Sequence, residues 1–150
     1  MASDVTNRET IRDAFTTLLS AALVGTGLPV QAVYGYKKAD FQGQSPVVVI
    51  APSGTGRGAA AFDKTGSDVY LDVFVFVLYS DEGDWDEADA TDRLDLIEKE
   101  ICDVVVDNNS TANWIDVDYE GRSTIDDVAV GGQEYQRERI PLRFMVRNSV

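Results

Sequence analysis

The sequence is 150 residues long and 44% hydrophobic, with 26 acidic against 13 basic side chains and a formal net charge of −13. That length and apolar content suit a single domain around one core and exclude a disordered tail. There is no histidine and one cysteine, Cys102, which excludes histidine-dependent hydrolysis, a histidine-bearing zinc site and an internal disulfide.

In chain order, residues 6–24 carry Ile11, Phe15, Leu18, Leu19, Ala22 and Leu23 at helical spacing. Thr6 with Glu9 forms a capping-box pattern, and Gly25 to Pro29 ends the helix. Residues 30–36 predict a strand, 37–45 a polar connection and 46–51 a short buried strand. Residues 69–80 are apolar at both odd and even positions, so this strand is expected to be central and covered on both faces. Residues 84–106 predict a second helix, with Asp84 and Glu87 at its start and a stripe of Ala90, Leu94, Ile97, Ile101, Val104 and Val105. Strands follow at 113–119, 123–130 and 133–147, the last two joined by Gly131-Gly132. The expected fold class is α+β: a single domain over 1–150 whose mainly antiparallel or mixed sheet has about four to six strands with two helices packed on it.

The stretch APSGTGRGAA, residues 51–60, follows a hydrophobic run as a phosphate-binding loop would. It has no Lys-Ser/Thr pair after its glycines, and Ala59 occupies the place of the third glycine of a dinucleotide fingerprint. Another turn signal follows it, not a helix. The stretch therefore reads as part of a long hairpin loop, 52–68, with Arg57 placed to reach a neighbouring molecule. The acidic run 81–87 fails the register of a calcium loop and reads as a helix N-terminus. Asp116, Asp118 and Glu120 share one strand face, where a solvated face is the expected role. Cys102 lies near the apolar stripe of the second helix and reads as a small buried residue. No catalytic, cofactor or metal residue is assigned. The longest apolar run, 73–79, is too short for a membrane span, which needs roughly 20 residues, and the polar N-terminus carries no secretion core.

The final strand carries Tyr135, Arg137, Arg139, Arg143 and Arg147 at odd positions and Ile140, Leu142, Phe144 and Val146 at even ones. The apolar side is expected to be core. The arginines are expected to pair with acids across strands, such as Asp116 and Asp118, or to face the acidic surface of another subunit. The acid is mainly aspartate and the base mainly arginine, a balance expected of a halophilic protein whose self-repulsion is screened by concentrated salt.

Taken together, the N-terminal helix, "PVVVIAPSG", "DVYLDVFVFVLYS", "DEADATDRLDLIEKEI" and "GGQEYQRERIPLRFMV" resemble, in order, the tail terminator or tail completion proteins of long-tailed phages and archaeal tailed viruses. The resemblance spans nearly the whole chain as a pattern of elements. It implies a non-enzymatic virion protein at the head–tail junction, assembled in the host cytoplasm. About six copies would form a ring that stops tail-tube growth. Its partners would be other copies of the chain, the tail tube protein, a head-side connector and genomic DNA passing through the lumen without sequence-specific contacts. An acidic lumen would repel DNA phosphates and let the DNA slide. Arg57, Tyr135, Arg137, Arg139, Arg143 and Arg147 are the candidate subunit or ring contacts, and reversing Arg139 or Arg143 is expected to weaken assembly with the fold intact. The alternatives are another neck component of the same virion, or a small cytoplasmic binding module that uses the 52–68 loop.

Overall fold

The computed structural model describes residues 7–56, 66–79 and 85–146. Two helices and a six-stranded mixed sheet make an α+β fold. The elements run α1 (Arg8–Leu23), β1 (Ala32–Tyr34), β2 (Val47–Gly56), β3 (Ser67–Leu78), α2 (Glu87–Asp107), β4 (Asp116–Tyr119), β5 (Thr124–Val130) and β6 (Gln133–Val146). The sheet order is β1-β2-β3-β6-β4, and β5 also pairs with β6. Only β1 and β2 run parallel; the other pairings are antiparallel.

The helices form where the apolar period is 3.6, and their caps lie close to the expected ones. Asn7 caps α1 by accepting from the Glu9 N–H, whereas the expected cap, Thr6, lies outside the described residues. For α2 the cap is Asp86, not Asp84. Asp86 and Asp89 exchange side-chain-to-backbone hydrogen bonds in a capping box, which uses two orphan N–H groups and places acid at the positive end of the helix. All six predicted stripe residues of α2 are buried. In α1 Ile11, Phe15, Leu19 and Leu23 are fully buried and Leu18 partly so, whereas Ala22 faces outward.

Both helices lie on one face of the sheet. Their stripes meet Val48 and Ile50 of β2, the odd positions 69–77 of β3 and the even positions 140–146 of β6 in one core. Trp114, just before β4, closes this core against Phe15 and Phe144.

The glycine-rich stretch differs from expectation. Strand β2 continues through Pro52–Gly56, paired with Asp68–Leu71, and a bulge falls between Pro52 and Gly54. The loop expected over 52–68 is therefore shorter. Beyond Val49, β2 has no partner on its β1 side, so Pro52 sits in an edge segment where a missing N–H is tolerated. Arg57 and the rest of 57–65, Asp81–Asp84 and Arg147 lie outside the described residues.

Candidate interaction surface

The face of the sheet away from the helices is built from Val47, Val49 and Ala51 of β2, the even positions of β3 and the odd positions of β6. At one end it forms a second, smaller core of Phe41, Val47, Val49, Phe76 and Tyr135. Phe41 comes from the connection 37–45, which folds back over the sheet. Its ring packs at 4.8 Å from that of Phe76 and 5.5 Å from that of Tyr135. This lid passes close against the turn of the β5–β6 hairpin. Gly131 (φ +59°) and Gly132 (φ +81°) both adopt left-handed backbone in that turn, and a Cβ on Gly131 would come within 2.4 Å of the Asp40 carboxylate. Only glycine satisfies both demands. So β3 is covered on both faces at this end by its own chain, as its apolar phase requires. Away from the lid, Tyr70, Asp72, Arg139, Arg143 and Met145 are only partly buried, as is Phe74 at the lid's margin.

Of the residues expected at an interface, Arg137, Arg139 and Arg143 share this face. Each finds an acid in the same chain. Arg137 forms a bidentate pair with Asp126, directly opposite on β5, with Nε to Oδ1 at 3.0 Å and Nη2 to Oδ2 at 2.6 Å. Arg139 reaches diagonally to Asp72 of β3, with Nη2 3.0 Å from Oδ1. Its N–H is not aimed at that oxygen, so Asp72 Oδ1 is paired in charge but not hydrogen-bonded. Arg143 stands opposite Asp118 on β4 at 3.8 Å. The other expected acid, Asp116, accepts from Asn109 Nδ2 instead. Cross-strand pairing is thus present at Arg137, Arg139 and Arg143, and at Arg143 with the partner the sequence indicated. Tyr135 is only 1% exposed, and its hydroxyl donates to the Gln44 carbonyl at 3.4 Å. It holds the lid, and the arginines are what a neighbour could touch.

Two features escaped sequence reading. The first is Glu138, in phase with Ile140 and Leu142 on the helix-facing side of β6 yet a carboxylate, and only 4% exposed. Burial pushes its pKa up; the hydrogen bond it accepts from Ser123 Oγ at 2.6 Å opposes that, and the charges of Glu98 and Asp95 add to it. A raised folded-state pKa means that the protonated form favours the fold. That contribution is complete below the ordinary glutamate pKa and is lost as pH rises through the folded value. Glu138→Gln keeps an acceptor for Ser123 and removes the buried charge. It is expected to stabilise the protein by about 1 kcal/mol at pH 7 and to lose that advantage near pH 4. Urea melts of both proteins across that range check it; a variant less stable at pH 7 would overturn it. Nearby, Tyr119 has its phenol raised well above its ordinary range, first by burial and then by the Cys102 thiol. Cys102 itself is partly exposed, where a small buried residue was expected.

The second feature is a cavity of about 320 Å³ on the open face. It lies where the lid, β3, β5 and β6 meet, and is lined by Lys37, Lys38 and Arg137 together with Phe41, Phe74 and other apolar side chains. Lys37 and Arg137 lie over the Phe74 ring at 5.9 and 5.5 Å, and Lys38 over the Tyr34 ring at 4.3 Å.

Among the described residues no group of three or more His, Cys, Asp or Glu side chains could hold a metal ion, and no helix is long and apolar enough to cross a membrane. The acidic residues Asp116 and Asp118 are accounted for by Asn109 and Arg143, and neither lines the cavity. The chain matches no protein-family model and no curated protein sequence.

Proposed function

We propose that this protein is a structural ring subunit at the end of a viral tail tube, where it stops tube growth and joins the tail to the head connector. The observation that carries the reading is the asymmetry of the sheet. Two helices bury one face, while the other is closed only at the lid and leaves a band of aromatic and charged side chains, Tyr70, Phe74, Arg139 and Arg143, partly exposed. A half-covered sheet face in a protein of charge −13 suits packing between like subunits better than a free monomer surface. The order of elements, with a final long strand carrying alternating arginines and core residues, supports the same reading.

The arginines hold acids of their own chain at the edge of this band. At an exposed site such as Arg143–Asp118 the pair is weak, about 0–1 kcal/mol, and can be shared with or exchanged for a neighbour's carboxylate. The genome would pass through a lumen whose acidic charge repels phosphate.

Electron microscopy and light scattering on concentrated protein, in low and in molar salt, test the proposal. Closed rings of about six subunits are expected, formed more readily in molar salt, where repulsion between acidic copies is screened. A protein that stays monomeric in both salts, and still does so when mixed with tail tubes, would overturn it.

A further inference from the structure

The cavity under the lid carries an inference that stands on its own lining and not on the ring reading. In a chain with twice as many acids as bases, a surface lysine is expected to sit beside a carboxylate. Lys37 and Lys38 do not: neither forms an ion pair among the described residues, and each lies over an aromatic ring. Both line the same cavity, together with Arg137. They represent half of the chain's four lysines, adjacent in sequence, on the connection that Phe41 packs onto the sheet and that passes close to the β5–β6 turn at Asp40.

The chemistry that fits is an anion attached to an aromatic or bulky apolar group. At about 320 Å³ the cavity is at the lower end of the volumes that hold ligands, suited to one large side chain. Phe41, Val49 and Phe76 give it a buried apolar floor, and Phe74 offers a partly exposed ring. The unpaired ammonium groups supply charge complementarity for carboxylates flanking that side chain. Arg137 contributes less, because Asp126 already holds it in a bidentate pair.

We infer that this cavity is a docking site for an acidic segment of a partner protein that inserts one aromatic side chain between Lys37, Lys38 and Phe74. Carboxylates of such a partner would pair with the two lysines at the contact itself, a local attraction set against the repulsion from the rest of an acidic chain. The aromatic anchor supplies the affinity, as buried aromatic side chains do at interface hot spots.

The test uses the full chain and a short fluorescein-labelled peptide of glutamates around one central tryptophan, followed by anisotropy in low salt. Saturable binding is expected. Replacing the tryptophan by alanine, or the glutamates by glutamine, should weaken it by at least about tenfold. The double variant Lys37→Glu, Lys38→Glu should lose binding to a similar degree, and Lys37→Gln, Lys38→Gln should show a smaller loss; circular dichroism of both reports whether the fold is kept. No saturable binding, equal binding of all three peptides, or unchanged binding by the folded double variant would overturn the inference. So would a change in the protein's own oligomeric mass on reversing the two lysines, which would assign the cavity to a second copy of this chain. Failure to form rings leaves the inference standing, and failure to bind the peptide leaves the ring reading standing.

Discussion

Replacing Trp114 by alanine is expected to lower stability by about 3–5 kcal/mol, the range for deleting a buried large aromatic. Trp114 is 2% exposed and packs where α1, the end of α2 and β6 come together. Its ring stands edge-on to Phe144 of β6 at 4.9 Å and to Phe15 of α1 at 6.2 Å, and those two rings pack against each other at 5.1 Å. Its Nε1–H donates to the Asn108 carbonyl at 2.8 Å, just past the end of α2. The side chain thus fills the core and also satisfies a carbonyl that the helix leaves unpaired. Trp114→Phe separates the two roles: it keeps most of the ring contacts and orphans the carbonyl, for an expected loss of about 1–3 kcal/mol. Urea denaturation followed by circular dichroism measures both. For a domain of this size each kcal/mol is about 2–4 °C in Tm, so the alanine variant should melt roughly 10 °C lower. A loss below about 1 kcal/mol for Trp114→Ala would mean that the three-ring cluster is not a keystone of the core.

What the sequence made legible was what period alone determines. The 3.6-residue repeat of 90–105 marked the buried stripe of α2 residue for residue, and the two-residue repeat of 140–146 marked the core side of β6. The two apolar faces of 69–78 correctly required a central strand with cover on both sides, but not what the cover would be. Phe41 supplies it from a connection that reads as polar, because one aromatic among lysines, glutamines and a glycine carries no period. The same limit hid the extension of β2. Pro52–Gly56 looks like a loop on its own residues and is a strand because Asp68–Leu71 stand opposite it, a partner chosen by the fold and not by local propensity. Caps shifted by one or two residues, from Thr6 to Asn7 and from Asp84 to Asp86, where neighbouring polar residues are near-equal candidates. The arginine row was legible as a row, and Asp118 as a partner. Asp72 and Asp126 were not, since which acid stands opposite which base depends on strand order and register.

That strand order changes what the arginines can be used to test. Arg139→Glu is expected to cost about 2–4 kcal/mol of fold stability, so the expectation of an intact fold does not extend to it. The Asp72 side chain is 14% exposed, and its Oδ1 has no hydrogen bond, only the Arg139 guanidinium at 3.0 Å. Reversal leaves that carboxylate without its counter-charge and sets a second carboxylate beside it, the costly way to break a mostly buried pair. The expected loss stays below that of a fully buried pair because Arg139 is itself 41% exposed. Combining Arg139→Glu with Asp72→Arg should recover part of the loss, and the coupling in that double-mutant cycle measures the pair directly. Arg143 behaves differently. Its contact with Asp118 is 3.8 Å long, and the Asp118 side chain is 59% exposed, so Arg143→Glu should change stability by no more than about 1 kcal/mol. It therefore separates assembly from folding. If Arg143→Glu melts like the parent but fails to form rings in molar salt, the open sheet face is a subunit contact and the arginine acts across it. If it forms rings as readily as the parent, the arginine row serves the sheet of its own chain, and the contact between copies must lie elsewhere on that face.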